Sequence, residues 1–562
     1  MLPAAAPPVL RRAPGAQRCF LPAGVIVADF GGDVRSTSLA DVARGEPFAL
    51  DWQDVREWLV GEQGLLLLLA GLACLLHFLC NWRYGYFRDE LYFAACGQHL
   101  AWGYVDQAPF IALVARVSRF LFGDSLPALR FFPALASGAT VWLAGAIARE
   151  LGGRRFSQGL AALAALAAPL YLTFGNLLTM NVFEPVFWGL CAWLAIRAVR
   201  LSRPRLWLAF GLVAGIGIEN KHSMLFFGSG ILLGLLLTEA RTELRSRWIW
   251  LGGVLAFLLF LPNVLWQAAH GWPTMEFLSY RQAAENVPIS AFTFIAEQGL
   301  LSGPFAAPIA IAGLLYLYFG RALQPYRFLA YGYLTVLAEL IAFAGKIYYL
   351  APYDVILFGA GAVWFERVFA RASRAWWKPA LIASIAAGGL VAAPLALPIL
   401  PLEAAAAYAR FWGVSHIRVE YQQQSDLPQL FADMFGWEDQ VDTVAAVMAR
   451  LDPQDRQRAV IFAGAYGQAA ALDYFGPRYG LPKAICAENA YYLWGPRGAS
   501  DQVVIAYGVN LLKLGAVFAD IREVDVIRSE HAVPEQRVIP VYLCRKPRMS
   551  FREAWPILRS VG

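Results

Sequence analysis

Long apolar segments recur along most of this chain, and short polar segments separate them. Apolar segments of roughly 18 residues or more have the length of a transmembrane helix. The pattern predicts eleven such helices, near residues 64–81, 127–148, 158–176, 183–199, 206–220, 222–239, 248–266, 300–319, 328–345, 348–365 and 380–400. The sequence therefore predicts a polytopic α-helical membrane domain over residues 61–400.

The pattern changes on both sides of this region. After residue 400, apolar runs of strand length at 459–464, 503–508, 522–527 and 538–544 alternate with helical stretches at 441–451, 468–475 and 509–517. This alternation is typical of an α/β domain with a mostly parallel sheet, which we expect over residues 401–562. Residues 1–60 predict an extension of low order with a short amphipathic helix at 51–60, and an over-extended start codon is the alternative.

Charge gives the expected orientation. Alternate connections hold four acids and sixteen basic residues, namely Arg149, Arg154, Arg155, Arg197, Arg200, Arg203, Arg205, Arg241, Arg245, Arg247, Arg321, Arg327, Arg367, Arg371, Arg374 and Lys378. By the positive-inside rule these connections are cytoplasmic. We therefore expect a protein of the inner membrane with a cytoplasmic N-terminus, an exterior loop at 82–126 and a periplasmic C-terminal domain.

Composition excludes other classes. Only 16% of the residues are charged, whereas soluble proteins have about 25%. The sequence has no run of arginines interleaved with aromatic residues, so it does not predict nucleic-acid binding. The Cys and His residues do not have the spacing of a zinc site. The residues assign no cofactor and no metal ligand, although the many carboxylates leave open whether a divalent cation binds. Cys486 and Cys544 share the predicted exterior domain, and a disulfide between them stays open.

The first exterior loop carries the strongest chemical signal. RYGYFRDELYFAACGQHLAWGYVDQAP (83–109) places Asp89, Glu90 and Asp106 at the membrane edge, with Arg88 among them. Acids beside aromatics at this depth are costly unless they have a function. A solvated loop is the alternative explanation for the acidic pair, and a helix cap is the alternative for Asp106.

More polar side chains fall at the same predicted face. They are Asn181, Glu184, Lys221, His270, Arg281, Lys346, Tyr348 and Tyr349. Each group also has an alternative explanation. Snorkelling to the membrane surface explains Lys221 and Lys346, and an aromatic belt explains Tyr348 and Tyr349. A hydrogen bond to the backbone at a broken helix end explains Glu184. Together, however, carboxylates and cations beside lipid suit transfer from a lipid-linked phosphate. The cations would hold the phosphate, and a carboxylate would take the proton of an acceptor hydroxyl.

Several segments resemble glycosyltransferase family 39, membrane enzymes of the GT-C fold that include protein O-mannosyltransferases and lipid A aminoarabinose transferases. Asp89 and Glu90 match the family's acidic pair, and Asp106 matches its acid before the prolines. Residues 179–188, 220–228 and 346–361 resemble further family signatures, and 467–482 and 491–496 resemble the exterior domain of bacterial members. Gln107 departs from the aminoarabinose transferases, which carry Lys there, and Asn181 stands where many members have Asp.

The resemblance implies an inverting transferase that moves a sugar from a polyprenyl-phosphate donor to a lipid, glycan or protein acceptor. Asp89 would be the general base, and Glu90 or Asp106 would place the acceptor. The donor phosphate would be held by Lys346, Arg281 and Arg88, with Lys221 as a further candidate. The other substrate contacts would come from Tyr348, Tyr349, Asn181, Glu184 and His270.

The sequence leaves two other functions as alternatives. A transporter or flippase of lipid-linked sugars predicts charges in mid-helix and an internal repeat, and the sequence shows neither. A scaffold without catalysis leaves the polar groups at the exterior face unexplained.

Overall fold

The computed structural model describes residues 62–284, 290–371, 376–413 and 427–560. The predicted extension at 1–60, with its helix at 51–60, lies outside them. Within the described residues, six helices are long and apolar enough to cross a membrane: Gln63–Cys80, Leu126–Glu150, Met180–Arg200, Arg247–Ala269, Ile347–Ala370 and Trp377–Ala396. The protein is therefore a multi-pass membrane protein.

Three bent helix pairs raise the number of candidate spans in this part of the chain to nine. They are Arg155–Ala167 with Pro169–Gly175, Met224–Leu236 with Glu239–Arg245, and Ala291–Ser302 with Ala307–Phe319, bent by 64°, 109° and 116°. The shorter apolar helices Leu206–Asn220 and Phe328–Ala342 occupy the two remaining predicted segments. Each of the eleven predicted segments thus contains an apolar helix, although some are too short or too bent to be single straight spans.

Small residues allow close packing inside the bundle. Gly313 on Ala307–Phe319 lies against the backbone carbonyl of Leu357, and Gly361 lies against that of Ile309. A Cβ atom at either glycine would collide with that carbonyl, so the helices Ala307–Phe319 and Asp354–Arg371 approach with their backbones nearly in contact. Such small-residue contacts replace the hydrophobic driving force that membrane helices lack.

Further helices connect the spans on the side of the first loop. They are Arg88–Gln98, Phe110–Phe122 and Pro273–Ala284, while the span Leu126–Glu150 consists of Leu126–Leu129 and Phe131–Glu150. The segment 267–299, which joins two of the predicted membrane helices, is helical over most of its described part. Asn263 and Gln267, near the end of Arg247–Ala269, donate hydrogen bonds to the backbone carbonyls of Trp102 and Tyr104, which fixes the first loop on the bundle.

The C-terminal region contains a five-stranded sheet of order β2-β1-β3-β5-β4. The strands are β1 Val460–Ala463, β2 Ile485–Cys486, β3 Val503–Tyr507, β4 Phe518–Arg528 and β5 Val538–Pro547. Strands β2, β1 and β3 are parallel, but β5 is antiparallel to both of its neighbours. The prediction of a mostly parallel sheet is therefore wrong for the second half. A parallel pair needs a long crossover connection, and the short link between β4 and β5 holds only a single helical turn, Pro534–Gln536.

The helices of this region lie before, between and after the strands. They are Leu402–Phe411, Gln429–Ala432, Trp437–Arg450, Pro453–Arg458, Tyr466–Phe475, Asn489–Trp494, Leu511–Val517 and Phe551–Leu558.

Cys486 and Cys544 do not form a disulfide, because both are free and buried. They lie on β2 and β5, three strand positions apart. With strands about 4.8 Å apart, that separation is beyond disulfide range.

One apolar core joins the first loop, residues 82–126, to the C-terminal sheet. Leu91 and Tyr92 from the loop helix Arg88–Gln98 are completely buried, and they share this core with Val441, Ile505 and Ala469. The loop helix therefore lies between the membrane helices and the C-terminal domain. This position brings side chains from both parts of the chain to its first turn.

Candidate active site

The two acids at the start of the helix Arg88–Gln98 have different surroundings, and Glu90 is the buried one. Its two oxygens accept hydrogen bonds from Nε and a terminal nitrogen of Arg130, both at 2.8 Å. The backbone amides of Leu178 and Phe87 donate to the same two oxygens, each at 2.9 Å. Glu90 and Arg130 are both inaccessible to solvent. Four donors thus occupy this carboxylate, which leaves it poorly placed to contact a substrate.

Asp89 faces the C-terminal domain and keeps access to solvent. The hydroxyl of Tyr466 donates a 2.8 Å hydrogen bond to its Oδ1. Nε of Arg88 lies 3.5 Å from the same oxygen, and the Arg88 guanidinium also lies 3.6 Å from buried Asp433. Because Arg88 faces two carboxylates, its charge is already balanced. Asp89 has a side chain that is 30% exposed, so a substrate can reach it.

Asp106 lies in the same group. Its Oδ1 accepts a 2.8 Å hydrogen bond from the hydroxyl of Tyr92, and its Oδ2 accepts one of 3.2 Å from the side-chain amide of Asn489. Burial raises the pKa of Asp106 to about 6, and the negative charge of Asp89 adds to the shift. Asp106 can therefore exchange a proton near neutral pH, which suits a group that assists an acid–base reaction.

The structure adds an acid that the sequence analysis missed. Glu488 accepts a 2.6 Å hydrogen bond from the backbone amide of Tyr466. Burial raises the pKa of Glu488 to about 7, the charges of Arg88 and Arg281 oppose this shift, and the charge of Asp106 adds to it. Asp89, Asp106 and Glu488 thus form one carboxylate cluster, drawn from the first loop and the C-terminal domain.

A second group surrounds Lys221, at the end of the helix Leu206–Asn220. Its Nζ donates to Glu184 Oε2 at 2.7 Å and to Asn181 Oδ1 at 2.8 Å. The same Nζ lies 3.9 Å from the ring centre of Tyr349 and 5.6 Å from that of Tyr348. Five of the predicted site residues therefore meet here, and we call them the lysine cluster. The amino group has an acid, an amide and two aromatic faces around it.

Aromatic rings lie between the elements that carry the two clusters. Phe110, four residues after Asp106, contacts Phe183 and Phe187 with ring centres 5.4 and 5.5 Å apart. Phe183 directly precedes Glu184 of the lysine cluster. Phe174 contacts Tyr348 at 5.6 Å. An aromatic surface of this kind offers stacking to sugar rings and apolar contact to an isoprenoid chain.

The remaining predicted residues lie in three different places. Lys346 is half-buried and starts the helical turn Ile347–Tyr349, next to the tyrosines of the lysine cluster. Arg281, on Pro273–Ala284, is close enough to lower the pKa values of Asp106 and Glu488. His270 is exposed at the end of Arg247–Ala269, where it stacks on Trp266 at 4.1 Å, and it belongs to neither cluster.

The sequence carries no signal that the C-terminal domain contributes Tyr466 and Glu488 to the candidate active site. Tyr466 and Asp89 are separated by 377 residues, and nothing in local spacing connects them. The segment at 491–496 resembles the family's exterior domain, but Glu488 lies just before that segment.

Within the described residues, no three His, Cys, Asp or Glu side chains are grouped so as to hold a metal ion.

Comparison with known proteins agrees with this architecture. The sequence model of the family described as dolichyl-phosphate-mannose-protein mannosyltransferase matches residues 106–266, a stretch that includes Asp106 and all of Asn181, Glu184 and Lys221. Curated protein sequences contain no match to the chain.

Among solved structures, the chain is similar to ArnT from Cupriavidus metallidurans. The apo form matches with a TM-score of 0.58 and 15% identity, over 87% of this chain and 98% of that one. The form bound to undecaprenyl phosphate matches with a TM-score of 0.57 and 15% identity, over 85% and 98%. The fold and the family match define the class of the protein: it is a membrane glycosyltransferase of the GT-C fold.

Proposed function

We propose that the protein transfers a monosaccharide from a polyprenyl-phosphate donor to a hydroxyl acceptor, with inversion at the anomeric carbon, at the outer face of the inner membrane. The observation that carries this proposal is the placement of the carboxylate cluster on the same side of the bundle as the lysine cluster. The structure of ArnT bound to undecaprenyl phosphate supports a donor of this class.

Each cluster has a separate part in the proposed reaction. A carboxylate of the first cluster accepts the acceptor's hydroxyl proton while that oxygen forms the new bond to the anomeric carbon. The bond from this carbon to the phosphate oxygen breaks on the opposite side, and the electron pair leaves with the polyprenyl phosphate. Cations beside the two clusters stabilise that departing charge. A single displacement of this kind inverts the configuration.

Asp89 is our choice for the general base. It is the more accessible acid of the pair at the helix start, and the Tyr466 hydroxyl holds its orientation. Asp106 and Glu488 then bind and orient the acceptor. Glu90 has a structural part instead, because its four hydrogen bonds leave it no free position.

Lys346 and Arg281 are our choices for the donor phosphate. Lys346 starts the turn that carries the two tyrosines, and Arg281 lies near Asp106 and Glu488. Lys221, which is paired with Glu184, is the further candidate. Arg88 is balanced by Asp89 and Asp433. Tyr348 and Tyr349 then contact the sugar or the first isoprene units, while Asn181 and Glu184 position Lys221. The role of His270 in substrate binding is the weakest of these proposals, because its described contacts are within its own helix.

The mechanism is tested with Asp89→Asn, which keeps the shape of the side chain and removes the proton acceptor. We expect transfer of radiolabelled sugar to fall by about 10²-fold or more, with normal folding. Asp124→Asn is the matched control, because Asp124 lies in the same loop but is 61% exposed and paired with Arg119. Near-normal transfer by Asp89→Asn would move the base to Asp106 or Glu488. Normal transfer by the corresponding variants of all three acids would refute the mechanism.

The proposed orientation has its own test. A cysteine at Asp501 in the C-terminal domain should react with a membrane-impermeant reagent in intact spheroplasts. A cysteine at Arg203, which is exposed between two membrane helices, should react only after lysis. The opposite labelling pattern would invert the proposed topology and place the carboxylate cluster inside the cell.

A further inference from the structure

A cavity of about 240 Å³ lies at the end of the helix Met224–Leu236 that is farther from Lys221. It is lined by Leu237, Thr238, Glu239, Arg241, Gln324, Arg327 and Tyr331. The helix Met224–Leu236 begins just after Lys221 and ends just before this cavity. Thirteen helical residues span about 20 Å, so the cavity is separate from the candidate active site.

The cavity forms where the chain turns sharply. The axis bends by 109° between Met224–Leu236 and the helical segment Glu239–Arg245, which leads Arg241 away from the bundle. On the other side, the segment Arg321–Tyr326 brings Gln324 and Arg327 to the same place. Two connections that are far apart in sequence therefore line one opening at the end of the bundle.

The charges in this cavity favour an anion. It holds two arginines and one glutamate, and Glu239 already accepts a 2.8 Å hydrogen bond from Gln324. Among the residues that the structure describes, Nε of Arg327 is buried and has no hydrogen-bond partner. A buried guanidinium nitrogen without a partner is costly, and a ligand oxygen would remove that cost. Arg241 is exposed at the mouth of the cavity, where it can contact the same ligand.

The surroundings of the cavity place it beside lipid. Leu237 lines it and is 57% exposed, and Leu233, one helical turn earlier, is 40% exposed on the same face. Residues four apart share a helix face, so an exposed apolar strip leads along the helix to the two arginines. We propose that this cavity binds the phosphate group of an anionic ligand, carried either by a phospholipid of the adjacent leaflet or by a soluble phosphate ester.

Native mass spectrometry of the full-length protein tests this proposal with two probes. Dioleoyl phosphatidylglycerol represents the lipid source, with dioleoylglycerol as the lipid that lacks a phosphate. Glycerol 3-phosphate represents the soluble source. Arg241→Gln/Arg327→Gln should weaken binding of the effective phosphate probe about tenfold or more, because charge-assisted hydrogen bonds are lost. Arg155→Gln/Arg203→Gln makes the same change in charge at two exposed arginines outside the cavity and should leave binding unchanged.

The outcomes separate the two sources. Selective binding of phosphatidylglycerol that depends on the two cavity arginines supports a lipid head group, and the same dependence for glycerol 3-phosphate alone supports a soluble ester. Equal loss in both double variants, or no binding of either phosphate probe, overturns the proposal. The single variant Arg241→Gln is the control for a folding defect, because the Arg241 side chain is exposed. It should weaken binding severalfold with an unchanged melting temperature.

Discussion

The buried pair of Glu90 and Arg130 gives the sharpest prediction about how the candidate active site is held in place. Glu90→Gln removes one charge and leaves the guanidinium of Arg130 in a site with no solvent access. Removing one partner of a buried ion pair typically costs about 3–5 kcal/mol in the free energy of unfolding. We expect a loss in this range, because one carboxylate oxygen becomes an NH2 group that cannot accept, so the variant gives up one 2.8 Å hydrogen bond from Arg130 and one 2.9 Å hydrogen bond from a backbone amide.

A double-mutant cycle separates this structural role from a catalytic one. Arg130→Met should destabilise the protein by a similar amount, since it leaves the carboxylate unpaired. Glu90→Gln/Arg130→Met removes both charges, so its cost should be smaller than the sum of the two single costs by about 2 kcal/mol or more. The assay is unfolding of the purified protein in mixed micelles, followed by tryptophan fluorescence.

The exposed pair of Glu438 and Arg478 is the control. Both side chains are more than half exposed, and such pairs contribute about 0–1 kcal/mol. Glu438→Gln should therefore unfold nearly like the wild type. If Glu90→Gln unfolded like the wild type but lost transfer activity, Glu90 would act in the chemistry, and its structural role would be refuted.

Three further predictions concern the clusters. Tyr466→Phe removes the hydrogen bond to Asp89 and should lower transfer about tenfold without a change in folding; an unchanged rate would show that the bond is dispensable. The pKa values of Asp106, about 6, and of Glu488, about 7, are raised, so the folded protein binds these protons more tightly than the unfolded chain. Stability should therefore fall as the pH rises from about 4 to 7, while transfer should rise over pH 6–7. Glu488→Gln should flatten the upper part of the curve of stability against pH, and a curve identical to that of the wild type would contradict this. Lys346→Met should weaken binding of a non-transferable donor about ten- to a hundredfold, with partial recovery in Lys346→Arg, whereas wild-type affinity in both would make the lysine an interfacial anchor.

The membrane helices could be predicted because their signal is local. A long apolar run needs no knowledge of its neighbours, so all eleven predicted segments contain an apolar helix. The breaks were harder to predict, because an apolar run looks the same whether it is straight or bent. The pair around Ala168 illustrates this: the chain bends by 64° just before Pro169, whose missing amide suits the first turn of a new helix.

The candidate site could be predicted only in part, for a similar reason. Asp89 and Asp106 lie in one loop, and the lysine cluster gathers residues from segments whose resemblance to one family is visible in the sequence. Glu488 and Tyr466 come from the C-terminal domain, and they reach the loop only because the loop helix shares an apolar core with that domain. That core depends on tertiary packing, which the periodicity of each segment does not reveal.

The most direct test of the proposed function is transfer by the purified protein in liposomes, with a defined polyprenyl-phosphate sugar labelled in the sugar. We expect label to move to a membrane-extract acceptor with inverted anomeric configuration, and free polyprenyl phosphate to appear in equal amount. No transfer from any polyprenyl-phosphate donor, or transfer only from a nucleotide sugar, would contradict the proposed function.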